Sequence, residues 1–174
     1  MNKEEITLLK ERLNTLYKLV SKYYGSIALT GSCAVALLTN KYMEDSLKDL
    51  NVPNDIDFIV EDKYNVIDAK WIGEYERIQE NSERSCTFED RRDPNFKFDL
   101  ISTKKMCSFE TIDGINVILP THLKRCYSVD PFNDENRSDT DKNKYNILSK
   151  IIESVESVEE IPTKKFKKSI FDDI

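Results

Sequence analysis

Three aspartates are the residues of this sequence with the clearest potential for chemistry. Asp55 and Asp57 alternate with Ile56 and Phe58, so both carboxylates lie on one face of a predicted strand over residues 55–60, about 7 Å apart. Aspartate is disfavoured inside strands. Two carboxylates this close repel each other unless a cation lies between them, and Mg²⁺ prefers oxygen ligands of this kind. The pair therefore predicts a metal site.

The third carboxylate belongs to a later strand. Residues 85–89 and 96–102 are predicted to form a hairpin around the polar turn 91–95. In the second strand of this hairpin, Asp99 lies on the face opposite the phenylalanines. If that strand neighbours residues 55–60, Asp99 comes to about 5 Å from the earlier pair. Three carboxylates at that spacing require a metal to balance their charge.

A Gly-Ser pair is the second chemical motif. Gly31 and Ser32 end a predicted strand over residues 26–30 and precede a predicted buried helix over residues 33–38. Such a turn presents free backbone N–H groups and the positive end of a helix, which together suit a phosphate. Glycine allows close approach, and the Ser32 hydroxyl can cap the helix or bind a phosphate oxygen. A plain serine-capped helix is the alternative for this motif taken alone.

The remaining pattern predicts an α+β fold, a mixed β-sheet flanked by helices, with an N-terminal helix and a C-terminal helix. Residues 1–160 are predicted to form a single domain, and residues 161–174 a mobile charged tail. The first predicted element is an amphipathic helix over 2–24, which begins with an Asn2/Glu5 capping box and ends at Gly25. A loop over 41–54, a short helix near 65–71 with Trp71 in the core, and a strand near 75–79 are predicted in the middle of the chain. The later predicted elements are a strand over 115–119 after the Asp113-Gly114 turn, a short helix from Pro120 and a long helix over 139–158.

The composition limits the function classes. The chain has 174 residues, of which 39% are hydrophobic and 33% charged, as expected for a soluble globular domain. It contains no run long enough to span a membrane and no signal-peptide core, which predicts a cytoplasmic protein. Four separated cysteines and one histidine disfavour a zinc site, and Cys33 is predicted to be a core residue. The net charge of -6 argues against a broad face for duplex DNA.

Three motifs resemble, in type and in order, those of the nucleotidyltransferase superfamily, which includes DNA polymerase beta-like enzymes. They are Gly31-Ser32, Asp55-Ile56-Asp57-Phe58 and Phe98-Asp99-Leu100. The resemblance covers about residues 25–105 by motif. The segment that begins at Gly114 resembles the later half of minimal and abortive-infection-type nucleotidyltransferases. The chain departs from the pattern before the acidic pair, where Val52-Pro53-Asn54 stands in place of Gly-Gly or Arg-x-Ser.

The resemblance implies a magnesium-dependent transferase that moves a nucleoside monophosphate from a nucleoside triphosphate, such as ATP, to an acceptor hydroxyl and releases pyrophosphate. It implies that Asp55 and Asp57 bind two Mg²⁺ ions, for which Mn²⁺ can substitute, and that Gly31 and Ser32 bind the β- and γ-phosphates. Asp99 would help to bind the second ion and activate the acceptor. Candidates for further phosphate or acceptor contacts are Lys124 and Lys144, with Arg137 and Lys142.

The acceptor and the activity itself stay open at this point. A tRNA or other RNA end, a protein hydroxyl, a small molecule such as an aminoglycoside and another nucleotide are all compatible with the motifs. A toxin or defence role is one setting for such a transferase. Two alternatives are a catalytically silent nucleotidyltransferase-like module that binds a nucleotide or a partner protein, and a structural α/β domain in which the acidic residues are coincidental.

Overall fold

The computed structural model describes residues 1–61, 69–82, 84–128 and 138–159. In this part of the chain, eight strands form one mixed sheet that is flanked by helices, as the predicted fold class requires. The elements are α1 (Lys3–Val20), β1 (Ile27–Thr30), α2 (Gly31–Tyr42), a 3-10 helix (Glu44–Asp49), β2 (Asp57–Glu61), β3 (Trp71–Ile72), β4 (Tyr75–Ser82), β5 (Ser85–Asp90), β6 (Asp93–Thr103), β7 (Phe109–Ile112), β8 (Ile115–Ile118), α3 (Pro120–Cys126) and α4 (Asp139–Glu159).

The strand order places the two predicted motifs side by side. The sheet runs β3-β4-β5-β6-β2-β1-β8-β7. β1 pairs with β2 in the antiparallel direction, and Thr30 is opposite Asp57. β2 pairs with β6 in the parallel direction, and Asp57 is opposite Asp99. The end of β1, the start of β2 and the middle of β6 therefore meet at one place in the sheet.

Strand alternation separates a buried face of the sheet from a polar one. Phe58, Phe88 and Phe98 point to the same side, where Phe98 stacks on Phe88 at 5.3 Å between ring centroids and meets Phe58 edge-on at 6.3 Å. Tyr17 of α1 packs against Phe58, so this side forms the core beneath α1. Asp57 is offset by one residue from Phe58. It therefore lies on the opposite face, which we call the polar face.

Helix α1 starts as predicted but ends earlier. Asn2 and Glu5 form the predicted capping box, and the residues buried along α1 have helical spacing. The helix ends at Val20 rather than at Gly25, because the backbone amides of Lys22 and Tyr23 donate to carbonyls only three residues earlier. Such bonds tighten the final turn and stop the helix without a left-handed glycine.

The predicted loop over residues 41–54 contains regular structure. α2 continues to Tyr42, and the 3-10 helix follows it. Leu47 and Leu50 are both buried, and their spacing of three residues matches the three-residue turn of a 3-10 helix. The prediction was wrong because two leucines within a polar segment were enough to fix this short helix against the core.

Two further predictions need correction. Trp71 is 41% exposed rather than in the core, because β3 directs Ile72 inward and Trp71 outward. The short helix predicted near 65–71 is not present over Ala69–Trp71, and its earlier residues lie outside the described part of the chain. The predicted tail, 161–174, also lies outside it. The strands β4 and β8, the β5–β6 hairpin and the helices α3 and α4 are confirmed.

Asp113 and Gly114 form the predicted turn of the β7–β8 hairpin, and both have positive φ, as the tight turn requires. Among the described residues, no helix is both long and apolar enough to cross a membrane.

Candidate active site

Gly31 lies at the point where β1 turns into α2, and its conformation requires glycine. Its φ is +64°, in the left-handed region that L-residues rarely adopt. A Cβ at this position would overlap the Oδ2 atom of Asp57. The missing side chain therefore allows the Asp57 carboxylate to lie directly against the turn. The Gly31-Ser32 turn and the acidic strand β2 are in contact through this one position.

The hydroxyl of Ser32 faces α4 and does not cap its own helix. Thr30 occupies the N-cap position of α2, and its side chain makes no capping hydrogen bond. Instead, Nζ of Lys144 donates a hydrogen bond of 2.7 Å to Oγ of Ser32. The same ammonium lies 3.5 Å from Asp141 and 5.1 Å from the ring centroid of Tyr127. A largely buried cation is thus held beside the N-terminus of α2.

Tyr127 completes this cluster from the end of α3. Its hydroxyl is hydrogen-bonded to Ser32, which lowers its pKa, but burial is the larger effect and raises the pKa of Tyr127 to about 12. The hydroxyl therefore stays protonated at neutral pH. Ser32, Lys144 and Tyr127 bring three elements, α2, α4 and α3, to the same point.

Asp57 and Asp99 are direct neighbours on the polar face. Their Cα atoms are register partners of the parallel β2–β6 pair, and the amide of Asp99 donates to the carbonyl of Ile56 at 2.8 Å. Thr87 lies opposite Asp99 on β5 and donates a 2.6 Å hydrogen bond to Asp99 Oδ1. This bond fixes one oxygen of the Asp99 carboxylate, so the second oxygen keeps a defined direction.

The electrostatic environment of Asp57 opposes its ionisation. Burial is the largest cause, followed by the charges of Asp99 and Asp55, and together they raise the pKa of Asp57 to about 6. Lys144 acts in the opposite direction, but its effect is smaller. The negative charge of the site is therefore only partly balanced by the protein itself.

Asp55 lies just before β2 rather than within it, and it is exposed. Its carbonyl accepts a hydrogen bond of 3.2 Å from Sγ of Cys33, which ties the residue to α2. Burial raises the pKa of the Cys33 thiol to about 12, so Cys33 is a packing residue, as predicted.

A polar cavity of about 200 Å³ opens between Asp55 and the cluster around Ser32. Residues 50–54 form one wall, and Thr140 and Lys144 near the start of α4 form the other. Asn143 of α4 donates to the carbonyl of Asp49 at 2.5 Å, so α4 is joined to the segment that precedes this wall.

The donors around Asp57 are of the type that Mg²⁺ uses, because they are carboxylate oxygens with incomplete compensation of their charge. Asp57 and Asp99 are adjacent, and Asp55 is close enough to affect Asp57. Across the described ranges, however, no group of three or more His, Cys, Asp or Glu side chains is arranged to hold a metal ion. The chemistry and charge of the Asp57 and Asp99 register pair nevertheless suit a divalent cation, with Asp55, the third predicted ligand, close enough to affect Asp57.

The other predicted basic residues make different contacts or lie outside the described residues. Nζ of Lys124 is 4.8 Å from the ring centroid of Tyr145. Lys142 is exposed and lies 3.8 Å from Asp139. Arg137 lies outside the described part of the chain. Of the four basic candidates, the structure brings Lys144 to the Gly31-Ser32 turn.

Sequence reasoning missed Thr87 and Tyr127. A signal for Thr87 was present, because a hairpin centred on Asp93 pairs residue 87 with residue 99. No local signal identifies Tyr127, since its approach to Ser32 depends on how α3 packs against α2 and α4.

No protein-family model matches the sequence, and no curated protein matches it either. Among solved structures, the chain is similar to the crystal structure of the Megavirus polyadenylate synthase, with a TM-score of 0.54 and 14% sequence identity. The match covers 92% of this chain and 36% of that one, so the chain spans about a third of the length of its structural neighbour. At this identity the likeness shows a nucleotidyltransferase-like fold.

Proposed function

We propose that this protein is a magnesium-dependent nucleotidyltransferase that transfers a nucleoside monophosphate from a nucleoside triphosphate to an acceptor hydroxyl, with release of pyrophosphate. The observation that carries the proposal is the register pairing of Asp57 with Asp99 beside the Gly31-Ser32 turn. The fold shared with a polyadenylate synthase supports the same reaction class. The proposal assigns the nucleotide, cation and acceptor to neighbouring parts of this site.

The phosphates of the nucleotide are assigned to the turn between β1 and α2. Its free backbone N–H groups and the positive end of α2 favour an anion. The Ser32 hydroxyl and the Lys144 ammonium, already 2.7 Å apart, supply further donors. Because the side chain of Lys144 is only 14% exposed, its attraction to a phosphate is weakly screened by water.

Asp57 and Asp99, with Asp55, are the residues that would hold the divalent cations. When bound, Mg²⁺ supplies positive charge to the oxygens that attack and leave during phosphoryl transfer. The protein contributes the arrangement of the carboxylates: Gly31 leaves room for Asp57, and Thr87 fixes the orientation of Asp99.

The transfer reaction can be tested with nucleotides labelled at either end. The protein is incubated with Mg²⁺, a cell extract as the source of acceptors, and ATP, CTP, GTP or UTP labelled at the α- or γ-phosphate. We expect label from the α-position of at least one nucleotide to enter a product, while γ-label leaves as pyrophosphate. Asp99→Asn is expected to reduce transfer by about 100-fold or more, since several kcal/mol of charge stabilisation depend on the cation ligands.

Asp45→Asn is the matched control, because it removes one exposed carboxylate from the 3-10 helix. Transfer that persists in both Asp57→Asn and Asp99→Asn would overturn the proposed mechanism.

Lys144→Met is expected to weaken the binding of the nucleoside triphosphate by about 10- to 100-fold, because it removes a charge-assisted contact to phosphate. The Kd for each Mg²⁺–nucleotide complex can be measured by calorimetry. Lys150→Met changes an exposed lysine of the same helix and is expected to leave the Kd unchanged. Equal Kd values for the wild type and Lys144→Met would contradict the assignment of the phosphates.

One observation favours the second candidate function, a catalytically silent module that binds a nucleotide. Within the described residues, the acidic side chains do not form a three-ligand metal group. This candidate predicts nucleotide binding in the calorimeter without transfer of α-label to any acceptor. The two measurements together separate it from the transferase.

A further inference from the structure

The sheet order determines from which side an acceptor must reach the proposed site. Along the sheet, the Gly31 turn at the end of β1 is followed by Asp57 on β2, Asp99 on β6 and Thr87 on β5. In phosphoryl transfer, the attacking and leaving oxygens are roughly in line across the phosphorus atom. If the leaving phosphates lie at Gly31 and Ser32, the attacking hydroxyl must arrive from the side of β6 and β5.

On that side, the polar face ends in an exposed aromatic residue. A cross-strand row of register partners runs from Lys97 on β6 through Glu89 and Glu76 to Trp71 on β3. Lys97 and Asp99 are two residues apart on β6, so Trp71 is on the same face as Asp99. Three strand spacings separate β6 from β3, which corresponds to about 15 Å across the sheet.

Trp71 forms a stacked pair with an arginine on this face. The guanidinium carbon of Arg91 lies 4.3 Å from the centroid of the indole ring. Nε of Arg91 donates a 2.9 Å hydrogen bond to Glu76, which is the register partner of Trp71. The arginine is thereby held against the ring, although its side chain is 64% exposed. Indole and guanidinium planes are the groups on which proteins stack unpaired bases.

The distribution of charged side chains around Trp71 favours contact with a few bases rather than binding along a long basic groove. Beside the ring of Trp71, Lys97 is 46% exposed and lies 2.9 Å from Glu89, while Arg91 lies 2.9 Å from Glu76. Cations and carboxylates are thus interleaved along this face. Such a surface gives little general attraction to duplex phosphates but leaves planar groups available to one or a few bases.

We propose that Trp71 and Arg91 form a stacking site for the bases of a single-stranded polynucleotide whose terminal hydroxyl is the acceptor at Asp99. The inference rests on the proposed transferase function for the identity of the reaction, but the stacking site itself can be tested without activity. It also assigns a role to Trp71, which neither packs in the core nor belongs to the acidic site.

Trp71 is the sole tryptophan of the chain, so its fluorescence reports directly on stacking. The full chain is titrated with oligo(A) and oligo(U) of about eight nucleotides, within the range of single-strand site sizes, as RNA and as DNA. We expect saturable quenching by at least one of the single strands and none by the matching duplex. Asp57→Asn should show the same quenching, because the stacking site does not depend on catalysis.

A second measurement uses the fluorescence anisotropy of a labelled oligonucleotide, which does not require tryptophan. Trp71→Ala is expected to weaken binding by roughly 5- to 100-fold, the range for loss of one stacked base. Trp71→Phe should restore most of the affinity because it keeps an aromatic plane. Phe109→Ala is the matched control: Phe109 is also 41% exposed, but it lies on β7 at the opposite edge of the sheet.

The absence of saturable quenching by every single strand would overturn the stacking site, even if the protein transfers α-label to another acceptor. Equal affinities of the wild type and Trp71→Ala in the anisotropy assay would also overturn it. If the wild-type protein shows saturable quenching of Trp71 fluorescence but transfers no α-label, the result would count against the transferase function alone.

Discussion

Replacing Asp57 with Asn is expected to make the metal-free protein more stable and to reduce nucleotide transfer by about 100-fold or more. Burial and the charges of Asp99 and Asp55 raise the pKa of Asp57 from 3.8 to about 6. At pH 7 the folded protein therefore holds an unfavourable charge that the unfolded chain accommodates in water. Since one pKa unit corresponds to about 1.4 kcal/mol, the amide should increase the free energy of unfolding by about 1–3 kcal/mol.

The sign of the pH dependence follows from the raised pKa. Asp57 is protonated in both the folded and the unfolded state below about pH 4, and no charge is then buried. As the pH rises through 6, the folded state loses the stability that the neutral carboxyl provides. The stability difference between Asp57→Asn and the wild type should therefore be small at pH 4 and reach its full value near pH 7.

Urea denaturation at several pH values measures this difference. Mg²⁺ should reduce it, because the cation stabilises the charged wild-type site and not the variant. Asp45→Asn, which changes an exposed residue of the 3-10 helix, should show neither effect. The contrary result is an Asp57→Asn variant that is less stable than the wild type at pH 7 without metal. It would show that the Asp57 carboxylate stabilises the folded protein despite its burial and its repulsion by Asp99 and Asp55.

Gly31→Ala is expected to have the second large effect. An L-residue at a φ of +64° costs about 1–2 kcal/mol, and the new methyl group would overlap Asp57 Oδ2. The Asp57 carboxylate must then move away from the turn, and a displacement of about 1 Å in a reacting group can reduce the rate by about 100-fold. We expect a loss of transfer activity of that order and a decrease of about 1–3 kcal/mol in the free energy of unfolding.

Gly25→Ala is a matched control for the same chemical change. No atom lies within 4 Å of a Cβ added to Gly25, and its φ is not positive. Its activity and its stability should match those of the wild type within about 0.5 kcal/mol. If Gly31→Ala retains full activity, the close contact between the turn and Asp57 has no role in the reaction.

Much of the fold was predictable because its signals are local. The Asn2/Glu5 capping box, the apolar periodicity of α1 and the Asp113-Gly114 turn each involve residues that are close in the sequence. Strand alternation also placed Asp57 and Asp99 on one face of their respective strands. The wrong predictions concern two short segments. Two buried leucines formed a 3-10 helix in a polar segment that was predicted to be a loop, and a two-residue strand turned Trp71 outward.

The candidate site was predictable only in part, because its assembly depends on long-range packing. The acidic cluster requires β2 and β6 to be neighbours, which no local pattern can establish, and the structure pairs these strands in parallel. The choice of Lys144 among four basic candidates came from its contact with Ser32, 112 positions away. The contacts of Tyr127 likewise depend on where α3 packs, which the sequence around it does not determine.

The central claim is that Asp57 and Asp99 bind a divalent cation beside a triphosphate at the Gly31-Ser32 turn. A crystal structure with Mn²⁺ and a non-hydrolysable nucleotide analogue tests it most directly, because anomalous scattering locates the ion. We expect an ion within about 2.0–2.3 Å of oxygens of Asp57 and Asp99, with phosphate oxygens at the Ser32 hydroxyl and the Lys144 ammonium. An ion or a triphosphate bound elsewhere, with these two carboxylates uncoordinated, would contradict it.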